Sequence, residues 1–140
     1  MTKEILKALV IDDSATDARL LSNILSTRLQ THVEIAKDGL EGLEKLSTGN
    51  FDLAFLDLQM PRMTGTEVLK KIREWPNTIN LPVIVISGNN DRETVQSLLE
   101  FKIFDFIVKP YDTSVISERL AHKLESLTSS TIASNKTRQD

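Results

Sequence analysis

Three aspartates in the sequence stand where short apolar runs stop. Asp12 and Asp13 come directly after the run 6–11, and Asp57 comes directly after the run 53–56. In open α/β sheets, ligands bind beyond the carboxyl ends of the strands, where the strand order reverses. If the two runs are neighbouring strands, the three carboxylates meet in one cleft and repel one another unless a cation lies among them. Oxygen ligands in an incomplete set favour Mg²⁺, which keeps waters and bridges to phosphate. The alternative is that each aspartate only caps the helix that follows it.

Two further polar residues follow apolar runs in the second half of the chain. Ser87 comes after the run 83–86, which points its hydroxyl into the same cleft, and Lys109 ends the run 106–108. The Lys109–Pro110 bond is a candidate cis peptide, which would fix the direction of the lysine side chain. Carboxylates, one hydroxyl and one ammonium at strand ends together predict a site for phosphoryl chemistry.

The elements that would position these groups are five strands and five helices. The predicted strands are the largely continuous apolar runs 6–11, 53–56, 83–86 and 106–108, with a weaker strand at 33–36. Continuous runs, rather than alternating ones, are typical of a parallel sheet that helices cover on both faces. Apolar residues at helical spacing fill the intervals. Ser14 is a predicted helix cap and residues 64–67 match a capping box. The other three stripes follow Asp38, follow the polar residues 89–91, and begin near Asp112.

Strands that alternate with helices imply right-handed crossovers and a doubly wound α/β sheet. We assign residues 1–127 to this domain. Residues 128–140 are rich in Thr, Ser, Asn and Lys with few apolar residues, which predicts a disordered tail or the start of a linker. Because no output domain is recognisable, we favour a stand-alone domain that acts by contact with other proteins. A domain of a longer protein, with residues 128–140 as its linker, would show the same pattern.

Composition narrows the function classes. The 140 residues carry a net charge of −3 without a basic block, so direct binding of nucleic acid is not expected. The chain has no cysteine, which removes disulfides and thiolate metal sites. No apolar run approaches the length of about 20 residues that a membrane span needs, and no signal-peptide pattern begins the chain. We therefore expect a cytoplasmic protein.

The chain resembles response-regulator receiver domains over nearly all of residues 5–127. The segments that carry the resemblance are VIDDS at 10–14, LDLQMPRMTG at 56–65, ISG at 86–88 and DFIVKP at 105–110. The resemblance implies a flavodoxin-like, doubly wound, five-stranded parallel sheet of order 2-1-3-4-5 with five helices. It also implies a phosphoacceptor in two-component signalling, with a histidine kinase or a phosphotransfer protein as donor. Such a phosphoacceptor is not an enzyme in the usual sense, because it catalyses only its own phosphotransfer and dephosphorylation.

The resemblance assigns roles to the residues of the cleft. Asp57 would accept the phosphoryl group and, with Asp13 and the backbone carbonyl of Gln59, would bind Mg²⁺; Asp12 would act largely through a bound water. Lys109 and Ser87 would contact the phosphoryl oxygens.

Further roles concern regulation. The rotamer of Phe106 would follow the Ser87 loop and alter the face formed by the fourth helix, fifth strand and fifth helix. That face would bind a downstream protein or a second copy of the chain. Gln59 and Asn89, two residues beyond Asp57 and Ser87, would flank the water that hydrolyses the phosphoryl group and so tune dephosphorylation.

The sequence departs from the family pattern at four places. Thr64 replaces a common Asp or Asn, Ser87-Gly88 replaces Thr-Ala, residues 101–103 are bulkier than usual, and Phe106 replaces Tyr. None of these departures alters the acidic cluster. They affect the predicted protein-binding face of the fourth helix, fifth strand and fifth helix.

Three other functions compete with that of a phosphoacceptor. A receiver-like interaction module without phosphate turnover is disfavoured, because every position of the cleft holds a workable residue. A flavin binder would need a phosphate cradle after the first strand, where Asp12 and Asp13 would repel phosphate. A Mg²⁺-dependent phosphatase would need a general acid at position 59, and Gln59 cannot supply a proton.

Overall fold

The structure, a computed structural model, describes the backbone of residues 5–139 and the side chains of residues 5–128. Strands and helices alternate along the whole described chain. In order they are β1 Lys7–Ile11, α1 Ala15–Arg28, β2 His32–Ala36, α2 Gly39–Thr48, β3 Leu53–Asp57, α3 Gly65–Glu74, β4 Val83–Ser87, α4 Arg92–Leu99, β5 Asp105–Val108 and α5 Thr113–Gln139. Each predicted strand is present, with its ends within one residue of the predicted run.

The five strands form one parallel sheet of order β2-β1-β3-β4-β5. The predicted flavodoxin-like topology is therefore confirmed. Ile11 pairs with Leu56, and Asp57 pairs with Ile86. This register aligns the carboxyl ends of β1, β3 and β4, and the strand order reverses between β1 and β3. The edge of the sheet that carries the predicted cleft is thus assembled from the strands that the sequence indicated.

Two apolar layers hold the helices against the sheet. Alternate residues of β1 point to opposite layers: Leu9 and Ile11 pack with the buried side chains of α2, α3 and α4, whereas Ala8 and Val10 pack with those of α1 and α5. Because both faces of the strands are covered, their sequences read as continuous apolar runs rather than as alternating ones.

The predicted caps at Ser14 and Thr64 are present, and Asp38, Asp91 and Asp112 cap the other three helices. Each cap side chain accepts a hydrogen bond from a backbone N–H in the first turn of its helix; the donors are Asp17 to Ser14 (3.2 Å), Glu41 to Asp38 (2.8 Å), Glu67 to Thr64 (3.2 Å), Thr94 to Asp91 (2.7 Å) and Val115 to Asp112 (3.0 Å). The predicted capping box at Thr64 is made differently from the standard form. The Thr64 hydroxyl also donates to the Glu67 carboxylate at 3.3 Å, whereas in a capping box the acidic side chain accepts from the backbone of the cap.

Gly65 lets α3 start close to the site-bearing end of β3. A Cβ atom at position 65 would lie 2.6 Å from Leu58 Cα and would also collide with the carbonyl oxygen of Asp57. A side chain cannot be accommodated there without movement of the backbone that carries Asp57.

The predicted boundary at residue 127 falls inside a continuous helix, because the backbone of α5 is helical to Gln139. The side chains of residues 129–140 lie outside the described part of the structure, so the division into a domain of residues 1–127 and a tail or linker of residues 128–140 stays a prediction. Among the described residues, every helix is too short or too polar to span a bilayer.

Candidate functional site

The three predicted carboxylates converge at the carboxyl edge of the sheet. Oxygen atoms of Asp12, Asp13 and Asp57 all lie within 4.8 Å of one another. Asp12 and Asp57 are each 5% exposed, and Asp13 is exposed to solvent. The β1–α1 loop supplies two of these residues and the last position of β3 supplies the third. The set offers only oxygen donors and leaves one side open to water, which is the chemistry that suits Mg²⁺.

Backbone hydrogen bonds orient the two buried carboxylates. The N–H of Ser14 donates to Asp12 Oδ1 at 2.9 Å, and the N–H of Gln59 donates to Asp57 Oδ1 at 3.1 Å. In each case the donor lies two residues beyond the aspartate, so the turn after the strand holds the carboxylate that ends it. The remaining oxygen of each group is directed to Lys109.

Burial raises the pKa of Asp57 from its ordinary value of 3.8 to about 6, and the nearby charge of Asp12 contributes in the same direction. The Gln59 N–H and the Lys109 ammonium oppose this rise. A divalent cation among the carboxylates would add a stronger opposing field and favour the ionised form. The cluster therefore has both the ligand atoms and the electrostatic need for a cation.

The Lys109 ammonium lies among the carboxylates, as predicted. Its third partner, Asp17, was not predicted from the sequence. Its Nζ atom is 3.2 Å from Asp12 Oδ2, 3.4 Å from Asp57 Oδ2 and 2.9 Å from Asp17 Oδ2. Burial alone would lower the pKa of Lys109, but the three carboxylates outweigh burial and hold the pKa above its ordinary value. Asp17 was missed because it lies inside the first turn of α1, not at the end of a strand.

The backbone around Lys109 is held from β4. Lys109 follows the last residue of β5, and its N–H donates to the carbonyl oxygen of Ser87 at 2.9 Å. The Lys109–Pro110 peptide bond is cis, as the sequence suggested.

Ser87 is the last residue of β4 and is fully buried. Its Oγ atom accepts a hydrogen bond from the N–H of Asn89 at 3.0 Å, so the hydroxyl hydrogen is not used in this contact. The Asn89 side chain is tied to the start of α4, where its Oδ1 accepts from the N–H of Asp91 at 3.1 Å. A short chain of hydrogen bonds thus joins the end of β4 to α4.

Gln59 and Asn89 are both exposed at the mouth of the cleft. The Gln59 side chain reaches towards the β4–α4 loop, because its Oε1 atom lies 3.3 Å from the position that a Cβ atom would take at Gly88. The loops after β3 and β4 therefore approach each other where the sequence predicted that a hydrolytic water would be flanked.

Phe106 is half-buried on β5. It packs, together with Phe101 and Ile103, against the core layer of α2, α3 and α4. Phe104 packs against the opposite layer and lies under the Lys123 ammonium, which is 4.9 Å from the centre of its ring. The bulky residues of this segment allow two interpretations from sequence: they complete the core, or Phe101 and Phe106 form an exposed apolar patch for a partner. The contacts of Phe101 favour packing against the core.

Aliphatic residues, rather than Phe101, are the exposed apolar side chains of the α4–β5–α5 face. Leu99 is 63% exposed, Val115 is 61% exposed and Val108 is 38% exposed. Beside them, Arg119 of α5 forms an ion pair with Asp105 of β5 at 2.6 Å. The face therefore combines exposed apolar side chains with a fixed ion pair.

Comparison with known proteins gives a consistent result. A family model described as the response regulator receiver domain matches residues 8–121. The chain is 33% identical to chemotaxis protein CheY-3 of Vibrio cholerae over 122 residues, which cover 87% of this chain and 94% of the relative. It is 30% identical to chemotaxis protein CheY of Pseudomonas aeruginosa over 115 residues, covering 82% and 93% of the two chains.

Solved structures agree with this result. A CheY-like receiver domain protein from Methanospirillum hungatei superposes with a TM-score of 0.80 at 27% identity, covering 90% of this chain and 98% of the other. Vibrio cholerae CheY4 superposes with a TM-score of 0.78 at 28% identity, covering 84% and 98%.

Proposed function

The chain belongs to the response regulator receiver domain family, and from this premise we propose that Asp57 accepts a phosphoryl group from a histidine kinase or a histidine phosphotransfer protein. Receiver domains are signalling phosphoacceptors rather than conventional enzymes. The observation that carries the assignment of Asp57 is its position between an acidic cluster and an ammonium: its two oxygens are directed to the Gln59 N–H and to Lys109 Nζ.

The reaction is a phosphoryl transfer to a carboxylate. An oxygen of Asp57 attacks the phosphorus of an N-phosphohistidine, and the new O–P bond forms as the P–N bond breaks. The electron pair of that bond stays on the imidazole nitrogen. In dephosphorylation, which ends the signal, a water oxygen attacks the phosphorus of the aspartyl phosphate. The O–P bond to Asp57 then breaks, the carboxylate is restored, and both water protons leave on inorganic phosphate.

Charge neutralisation is what the surrounding residues contribute. A phosphoryl group carries about −1.5 to −2 charges and replaces the single negative charge of the Asp57 carboxylate, so phosphorylation adds up to about one negative charge to a site that already holds several carboxylates. Lys109 would contact one phosphoryl oxygen, and the Ser87 hydroxyl would donate to another. Asp12, Asp13, Asp57 and the Gln59 carbonyl would hold Mg²⁺, which supplies Lewis-acid stabilisation of the phosphoryl oxygens.

Output would follow from the contacts that Ser87 makes. A Ser87 hydroxyl that donates to the phosphoryl group would draw the β4–α4 loop towards Asp57, and Phe106 of β5, which pairs with Val85 of β4, would change its rotamer. The exposed side chains of Leu99, Val108 and Val115 would then be rearranged for a downstream protein or a second copy of the chain. We place this exchange in the cytoplasm, without direct contacts to nucleic acid or to a membrane.

The test is the substitution Asp57→Asn, which is nearly isosteric and cannot form an acyl phosphate. The wild-type chain incubated with acetyl phosphate and Mg²⁺ should gain the mass of one phosphoryl group, measured by intact-mass spectrometry. Asp57→Asn should show no gain. Asp52→Asn is the matched control at the opposite end of β3, where the side chain accepts a hydrogen bond from the Lys7 N–H. It should be labelled like the wild type.

Undiminished labelling of Asp57→Asn would refute the assignment of the acceptor. A wild-type chain that takes no label from acetyl phosphate or from a phosphohistidine donor would support the alternative of an interaction module without phosphate turnover.

A further inference from the structure

Asp17 lies in the first turn of α1, and two hydrogen bonds connect this turn to the acidic cluster. Asp12 Oδ1 accepts from the N–H of Ser14 at 2.9 Å, and Ser14 Oγ accepts from the N–H of Asp17 at 3.2 Å. The first turn of the helix is therefore fixed relative to Asp12. This arrangement brings the Asp17 carboxylate to the same edge of the sheet as Asp12, although five positions separate the two in the sequence.

Asp17 is the nearest partner of Lys109. The distances from Lys109 Nζ are 2.9 Å to Asp17, 3.2 Å to Asp12 and 3.4 Å to Asp57. An ammonium group has three N–H donors, so these three carboxylates use its full capacity. Phosphorylation converts the Asp57 carboxylate into an acyl phosphate, so the donor that Asp57 uses can pass to one phosphoryl oxygen. A second hydrogen bond from Lys109 to the phosphoryl group requires the release of Asp12 or Asp17.

Burial indicates which partner is released. The side chains of Asp12 and Asp57 are 6% and 5% exposed, whereas that of Asp17 is 45% exposed. A buried carboxylate that loses its partner keeps the full cost of desolvation, but an exposed one exchanges its partner for water. Asp17 also lines an open groove of about 320 Å³ with Leu20, Lys109, Pro110 and Tyr111, which gives its carboxylate access to solvent.

We propose that Asp17 is a positioning residue that holds the Lys109 ammonium while Asp57 is unphosphorylated and releases it when a phosphoryl group arrives. The proposal rests on the phosphoacceptor function proposed above and extends it to a residue outside the cleft. Asp17 stabilises the resting state and is left unpaired in the phosphorylated one. It therefore competes with the phosphoryl group for Lys109 and limits how tightly that group is held.

The test uses the full chain in Mg²⁺ with beryllofluoride, a mimic of a phosphoryl group on a carboxylate. Affinity is measured by NMR titration. Asp17→Asn should bind beryllofluoride about two- to five-fold more tightly than the wild type, the range expected from removal of a partly exposed ion pair. Asp17→Glu, which keeps the charge, should return the affinity towards that of the wild type.

A double-mutant cycle separates action through Lys109 from a general effect of charge. In a Lys109→Met background, Asp17→Asn should leave the beryllofluoride affinity unchanged, because the ammonium for which it competes is absent. As a second measurement, the ε-methylene signal of Lys109 should shift in Asp17→Asn without any ligand.

The proposal would be overturned, while the phosphoacceptor function stands, by equal beryllofluoride affinities for the wild type and Asp17→Asn, or by the same tightening with and without Lys109. An ε-methylene signal of Lys109 that is identical in the wild type and Asp17→Asn would also overturn it. A wild-type chain that binds no beryllofluoride in Mg²⁺ would refute both this proposal and the proposed function.

Discussion

The charge on Asp57 should weaken the metal-free fold, and Asp57→Asn should therefore stabilise the protein. The pKa of Asp57 rises from 3.8 to about 6 because the carboxyl is buried and lies beside Asp12. One pKa unit corresponds to about 1.4 kcal/mol. The rise is therefore equivalent to about 3 kcal/mol of unfavourable free energy when Asp57 is ionised in the folded state.

The sign gives a defined pH window. A carboxyl with a raised pKa in the folded state binds its proton more tightly there than in the unfolded chain, so its ionisation favours unfolding. Below pH 3.8 the group is protonated in both states and contributes no difference. The destabilisation of the wild type develops as pH rises from 3.8 to about 6 and is complete above that range.

Urea unfolding in EDTA, followed by circular dichroism at several pH values, measures this effect. Near pH 7.5, Asp57→Asn should be more stable than the wild type by up to about 3 kcal/mol, and the gap should close towards pH 4. Mg²⁺ should raise the stability of the wild type more than that of Asp57→Asn, because a cation among the acids relieves the same repulsion.

Asp91→Asn is the matched control. Asp91 caps α4, and the hydrogen bond from the Thr94 N–H lowers the pKa of its carboxyl, so neutralising it should bring no gain in stability. The reasoning would be refuted if Asp57→Asn in EDTA were no more stable than the wild type near pH 7.5, or if the difference did not depend on pH.

Three further predictions follow from local contacts. Gly65→Ala should lower the free energy of unfolding by about 1–3 kcal/mol through overpacking, because its Cβ would meet backbone atoms of Leu58 and Asp57. Gly88→Ala is the control in the same urea titration and should cost far less, because its Cβ would meet only the flexible end of Gln59 at 3.3 Å. Phe101→Ala should cost about 2–3 kcal/mol, below the value for a fully buried phenylalanine, and should leave self-association in analytical ultracentrifugation unchanged; a stable variant that associates less would instead assign Phe101 to an interface. Substitutions at Gln59 and Asn89 should change the lifetime of the phosphorylated form several-fold without preventing labelling, and equal decay rates across a small panel at both positions would contradict that role.

The strand ends were predictable because the sequence marks them directly. A run of apolar residues that stops at a charged residue fixes both the strand and the position of the first side chain beyond it. Asp12 and Asp57 are therefore found where the runs end, and the parallel register brings them together. The helix caps at Ser14 and Thr64 were equally predictable, since a short polar side chain before an apolar stripe serves only a few purposes.

Asp17 could not be found in this way. Its position is set by the helical turn that follows Ser14, and a carboxylate at the third position of a helix is ordinarily explained by the helix dipole. The signal in the sequence was present but ambiguous: an acid in the first turn after the acidic loop. Lys109 follows β5, the edge strand of the sheet. Only the position of its ammonium in the structure shows that Asp17 is a partner of that lysine and not a solvated acid.

The aromatic segment 101–106 was ambiguous for a different reason. Four bulky apolar residues cannot all lie on one face of a strand, so the pattern left open which of them is exposed. The structure divides Phe104 and Phe106 between the two core layers and leaves Leu99 and Val115 on the helices as exposed apolar residues. Exposure of a helical leucine depends on the tilt of the helix, which periodicity does not determine.

The hydrogen bonds around α4 suggest how a change at Asp57 could reach the α4–β5–α5 face. Among the eight residues of α4 only Leu98 is buried, whereas α1 buries four residues. Burial of one leucine contributes about 1.5–3 kcal/mol, and a hydrogen bond to a charged group contributes about as much. A phosphoryl group that engages Ser87 can therefore supply free energy comparable to that which holds α4 in place.

The two ends of α4 are tethered unequally, which determines the direction of such a movement. Its first turn is joined to Ser87 through Asn89, at the site where the phosphoryl group would act. Its last turn leads into residue 101, whose carbonyl oxygen accepts from Arg73 Nε at 2.7 Å; the same guanidinium also donates to the carbonyl of Leu81 at 2.8 Å, before β4. Arg73 thus joins the residues after α4 to the segment before β4, far from Asp57. We therefore expect the first turn of α4 to move towards the site while its last turn acts as the pivot.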